Sequence, residues 1–267
     1  MIDPAWPGAP WTLGALLAGL LALLVARAIK RDRRDYRRFT RFRSTRRRVR
    51  AMRRWLLDSL LTFGGASVVV LAFVWQYVPL LLDEVDGVWW VASARSWWES
   101  TGGLLDVVAW SVAAVVLVGG TLVLFLARSV DTVPTIGDIH TLLPRNRREL
   151  PYGAALSVNA GIVEELLFRL ALPAIVFGVT GSALVAIVAS VAVFGALHAY
   201  QGVAGVVGST VIGAALMALY LATGSILLPI VAHALIDVRS LVLIPVIVYG
   251  VHREPSTRST PSPPRVR

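Results

Sequence analysis

Seven ionisable side chains stand in otherwise apolar sequence in the second half of the chain: Glu164, Glu165, Arg169, His198, His233, Asp237 and Arg239. An ionised group near the centre of a bilayer costs on the order of 3 kcal/mol or more, so it marks a functional site by default. Facing lipid, each would be penalised separately. Around one watered cavity they can satisfy one another. Helical spacing sorts them. Glu165 and Arg169 are i, i+4, on one face, and can pair. Glu164 is turned from Glu165 by about 100°, so one carboxylate can be held by the arginine while the other points elsewhere. Phe194 and His198 are again i, i+4, and so are His233 and Asp237.

Two chemistries suit two carboxylates and two histidines in a dry pocket. In the first, a desolvated glutamate is general base towards water, and histidine positions that water or stabilises an oxyanion. In the second, two His and one or two carboxylates hold a catalytic zinc with an open position. Glu164, His198 and His233 are then the candidate ligands. There is no cysteine, which excludes disulfides and thiolate ligands. Plainer readings exist for each pair. Glu165–Arg169 is a structural ion pair, His198 caps a helix end, and His233–Asp237 is a buried hydrogen-bonded pair. Glu164 resists such a reading, because Glu165 already supplies a partner for Arg169.

Three ordered motifs carry these residues. EELLFR at 164–169 has the pattern EExxxR, FGALH at 194–198 has FxxxH, and HALID at 233–237 has HxxxN/D. Their order and spacing resemble the CAAX protease and bacteriocin-processing (CPBP, or Abi) family of intramembrane proteases, over about residues 150–245. The resemblance implies a helical-bundle endopeptidase cutting near or within the membrane. Its best-known members are type II CAAX prenyl endopeptidases, which remove the last three residues after a prenylated cysteine. By the family pattern Glu164 activates water with help from His198. His233 and the residue at 237 stabilise the oxyanion, and Glu165 and Arg169 support the site. A divalent metal such as zinc and a metal-free glutamate mechanism are both argued for the family. Some members have Asn at the last motif position, where this chain has Asp237. A carboxylate cannot donate to an oxyanion unless protonated, so Asp237 is protonated, ligates a metal, or orients His233; orientation is the favoured role.

These residues need helices to hold them. The chain has 267 residues, 56% of them hydrophobic, and a mean hydropathy of +0.70. That excludes an ordinary soluble domain and predicts an all-α polytopic transmembrane helical bundle. Spans of ~20 apolar residues are expected at about 12–29, 56–80, 104–127, 151–171, 182–200, 204–222 and 226–249, seven in all. Residues 173–181 read as a turn or a short helix. The expected organisation is N-terminal spans over 1–149, a catalytic helical core over 150–250 and a disordered tail over 251–267.

The net charge of +10 would suit a nucleic-acid binder, but its distribution does not. Fifteen of the 26 basic residues lie between Arg27 and Arg54, after the first span. Such a segment fixes topology and touches anionic headgroups. With the N-terminus outside and seven spans, 23 of the 26 basic residues fall on the cytoplasmic side. The Trp89–Trp90 and Trp97–Trp98 pairs suit an outer connector at headgroup level over 81–103. The expected protein is thus a multi-pass cell-membrane protein with cytoplasmic basic loop and C-terminus. Its partner is a peptide or membrane-protein substrate, with no nucleic acid; the sequence does not set the oligomeric state. Two other functions fit the same charges: a non-proteolytic scaffold or immunity protein of the same fold, and a proton-coupled transporter. The absence of an internal repeat argues against the transporter.

Depth raises one conflict. At about 1.5 Å per residue, Glu164 lies some 20 Å along its span from the inner face, and His233 about 10 Å below the outer face. His198 falls near the inner end of its own span. Either span 182–200 is tilted or starts late, or segment 173–181 dips inward.

Overall fold

The computed structural model describes residues 1–28, 33–101, 103 and 141–253. The expected third span, 104–127, and most of the tail lie outside the described residues. The rest is an all-α membrane bundle. Four of its helical runs are long and apolar enough to cross a membrane: Ala9–Arg27, Thr45–Val74, Ala183–Thr223 and Leu227–Ile247. Their outward faces are apolar too. Val203, Val207 and Val211 form an exposed i, i+4 stripe, as expected of a helix with lipid on one side and protein on the other.

The N-terminal part contains α1 (Ala9–Arg27), α2 (Arg33–Phe39), α3 (Thr45–Ser59) and α4 (Gly65–Val74). A π-helical stretch, Leu60–Gly64, joins α3 to α4 without a break. The basic segment is therefore not all at the surface, because its second half is the start of the spanning helix. That run begins eleven residues before the expected start at 56 and ends at Val74. The tryptophan-rich connector is two short helices, α5 (Tyr77–Asp86) and α6 (Trp89–Ser100). Trp89 and Trp97 are exposed. Arg95 of α6 donates from Nε to Leu221 O at 2.8 Å and pairs with Asp86.

The core runs α7 (Leu150–Glu165), α8 (Leu172–Thr180), α9 (Ala183–Leu197), α10 (Gly202–Thr223), α11 (Leu227–Val238) and α12 (Ile244–Ile247). A second π-helical stretch, Leu166–Ala171, carries α7 into α8. Segment 173–181 is thus the end of a single long helical run and not a turn. Pro173 is tolerated inside this run because it directly follows the π-helical stretch, and Phe168 O, the carbonyl its missing N–H would serve there, accepts from Ser190 Oγ at 2.6 Å. The run ends at Gly181, whose φ of +66° needs a residue without Cβ. Ser182 then caps α9 by accepting from Val185 N, and Glu84 Oε1 accepts from Ala183 N at 3.0 Å.

This hairpin resolves the depth conflict. Glu164 precedes Gly181 by seventeen residues, and His198 follows it by seventeen. Phe168 and Phe194, each thirteen residues from the same glycine, meet with ring centroids 5.2 Å apart. The two arms therefore bring Glu164 and His198 to one level, although His198 is the last turn of its helix.

Candidate active site

α7 and α11 run antiparallel at very close range. A Cβ at Gly161 would lie 2.8 Å from Ile230 O and 2.9 Å from Ala234 N, and one at Gly153 would lie 2.8 Å from Leu241 O. Only glycine permits this backbone approach, with Ser157 buried between the two. It is the small-residue packing that membrane helices use in place of a hydrophobic driving force. One turn beyond Gly161, the same contact sets Glu165 against His233.

Glu165 is fully buried and uses both its oxygens. Oε1 accepts from His233 Nδ1 at 2.7 Å. Oε2 lies 3.0 Å from Arg169 Nε, an ion pair with both side chains at zero exposure. The expected Glu165–Arg169 pair is present, but Glu165 is also the group that orients His233. Asp237, favoured for that role from sequence, lies on the other side of the ring, with Oδ2 3.9 Å from Nε2. The Arg169 guanidinium packs on the Phe194 ring, 5.2 Å from its centroid, and none of its three nitrogens has a hydrogen-bond partner among the described residues, so it holds Glu165 by charge alone.

His198 closes α9. Its Nδ1 lies 2.8 Å from Phe194 O, and because a carbonyl only accepts, Nδ1 carries the proton. That leaves Nε2 with its lone pair. The i, i+4 relation of Phe194 and His198 thus has a specific use: the backbone of the first fixes the tautomer of the second. Tyr200 stacks on the His198 ring, with centroids 6.1 Å apart and planes at 27°. Tyr36 of α2 lies 5.7 Å from Tyr200 and accepts from Thr141 Oγ1 through its hydroxyl.

These groups border one cavity of about 390 Å³. Glu164, Phe194, His198, His233, Asp237 and Arg239 line it, whereas Glu165 and Arg169 lie behind its wall. The two adjacent carboxylates of the first motif are thus divided, one facing the cavity and one supporting it. Trp55, Ser59 and Phe63 of the N-terminal run, with Arg27 and Tyr36, also line it. Sequence reasoning did not include them, since they belong to no motif and come close only through folding. Among the described residues no three His, Cys, Asp or Glu side chains are grouped to hold a metal ion. Glu164, His198 and His233, the expected ligand set, all line the cavity, with His233 Nδ1 bonded to Glu165.

Residues 146–239 match the family model described as Rce1-like, type II CAAX prenyl endopeptidase Rce1-like. The matched segment is similar to a CAAX protease domain. No curated protein and no solved structure matches the chain. The match contains all three motifs and both histidines of the cavity, and it ends at Arg239. The cavity wall supplied by Arg27, Tyr36, Trp55, Ser59 and Phe63 lies outside the matched segment.

A second buried arginine departs from expectation. Arg48, within the basic run read as facing headgroups, is fully buried. Its Nε lies 3.0 Å from Glu149 Oε2, its Nη1 and Nη2 donate to Thr141 O and Leu143 O, and Phe39 packs beneath it with the ring centroid 4.1 Å away. It ties the N-terminal part to the entry of α7.

Proposed function

We propose that the protein is a membrane-embedded endopeptidase of the CAAX protease type in which Glu164 activates the attacking water. The observation that carries this reading is the orientation of the two histidines. Each has Nδ1 bonded away from the cavity, to Phe194 O or to Glu165, which leaves the Nε2 of each for the cavity that Glu164 also lines.

In this reading a water is held between Glu164 and His198 Nε2. Glu164 takes a proton as the water oxygen attacks the carbonyl carbon of the scissile bond. The oxyanion accepts a hydrogen bond from protonated His233 Nε2. That ring has Glu165 on one side and Asp237 on the other to balance its charge. Collapse of the tetrahedral intermediate breaks the C–N bond, and the proton held by Glu164 passes to the leaving amine. Arg169 holds Glu165 in place. No step passes through a metal. By the positive-inside rule the basic end is cytoplasmic, and α2, whose Tyr36 lines the cavity, belongs to that end.

Purified protein in nanodiscs, assayed with a library of quenched fluorescent peptides, tests the reading. Glu164→Ala and His198→Ala should each lower cleavage by about 10²–10⁴-fold with unchanged thermal unfolding. Full activity in either variant overturns the assignment. Chelator treatment with metal analysis tests the metal-free form: activity lost to chelator and restored by zinc would replace it. A scaffold function, by contrast, survives Glu164→Ala.

A further inference from the structure

Arg239 differs from the other arginine on the cavity wall. Arg27, the other arginine there, donates to Asp58 O and Thr62 and lies over the Phe63 ring at 4.2 Å. His233 is bonded to Glu165, with Asp237 on its far side. Arg239 lines the same cavity, yet among the described residues it makes no hydrogen bond and no ion pair. It is half-buried, not a solvated surface group. A guanidinium is always charged and offers a planar fork of donors that matches a carboxylate in two parallel bonds. Set among apolar walls, it is a strong site for an anion.

We propose that Arg239 receives a carboxylate of the peptide substrate, and so fixes where the chain is cut. The inference rests on the peptidase reading above. Arg239 follows His233 by six residues on one helix, about 9 Å along its axis at ~1.5 Å per residue. The anion site is therefore offset from the oxyanion position and does not compete with it. Glu164 and Asp237 at the reacting end repel a carboxylate, which directs the anionic part of the substrate towards Arg239. A peptide anchored there presents one bond to Glu164, at a set distance from its anchored group. The carboxylate is either the chain terminus or an aspartate or glutamate side chain, and the two share the same recognition chemistry.

The test uses the full chain in phosphatidylcholine nanodiscs and a peptide that the wild type cleaves. Three forms are compared: the free acid, the C-terminal amide, and the free acid with its Asp and Glu changed to Asn and Gln. Arg239→Gln should raise KM by about 10- to 100-fold, the range for a hydrogen-bonded charge, while kcat stays within about twofold. The variant should also cut at several positions where the wild type cuts at one. Arg239→Lys should recover part of the affinity. The form on which wild type and Arg239→Gln become equal identifies the carboxylate, terminal or side-chain. An unchanged KM with a single cleavage position overturns the proposal. So does a KM effect of equal size on all three forms, which would mark a structural role. If the wild type cleaves no peptide, the peptidase reading fails first and this inference falls with it.

Discussion

Two buried arginine–glutamate pairs share a distance and differ in their hydrogen bonds and surroundings. In both, Nε lies 3.0 Å from Oε2 and both side chains have zero exposure. Glu149 and Glu165 are sixteen residues apart on one helix, about 24 Å along its axis. Arg48 has all three guanidinium nitrogens engaged: Glu149 takes one, and the carbonyls of Thr141 and Leu143 take the others. Arg169 leaves Nε, Nη1 and Nη2 without hydrogen-bond partners among the described residues, and Glu165 gives its other oxygen to His233. A buried pair with every guanidinium nitrogen bonded is a structural clasp. A pair that forgoes hydrogen bonds in order to aim a histidine is organised around the site it supports. Identical ion-pair distances therefore do not imply identical roles.

The largest effect that separates the two pairs is on stability. Glu149→Ala leaves a buried guanidinium uncompensated and should cost about 3–5 kcal/mol, read from denaturant or thermal unfolding in detergent. Arg169→Met should cost less, about 1–3 kcal/mol, since His233 still bonds Glu165. Equal losses would erase the distinction.

Activity should separate them in the opposite sense. Glu165→Ala releases His233 and should lower kcat by about 10²–10³-fold, the range for losing one oxyanion donor. The folded fraction of Glu149→Ala should keep its kcat. Glu165→Gln retains an acceptor for His233 Nδ1 and should fall between the two. A Glu149→Ala protein that is folded but inactive would show that the clasp also reaches the chemistry.

The smallest effect should come from the aromatic wall. Tyr200→Leu removes the ring stacked on His198 and should lower kcat by up to about tenfold, the energy of one aromatic pair. KM should change little. Tyr200→Phe keeps the ring and should behave as the wild type.

The sequence revealed what is local. The i, i+4 pairs, the three motifs and the helices at 183–197 and 202–223 were all readable from spacing and hydropathy. The partition of Glu164 from Glu165 followed from helical pitch alone. The missed features join distant residues. Nothing near Arg48 distinguishes it from the arginines around it; its partner is 101 residues away. The Glu165–His233 bond spans 68 residues, whereas His233 and Asp237 are local and so drew the assignment. The continuation of α7 through Pro173 was hidden because proline reads as a break, and here it directly follows the π-helical stretch.

The hairpin around Gly181 works as a depth gauge with equal arms. Lengthening one arm by a single turn would slide Glu164 past His198 by about 5.4 Å, too far for one water to touch both. The same insertion made in both arms would keep them level. In such a hairpin, depth is set by the difference between two chain lengths, so an insertion or deletion in one arm must be matched in the other.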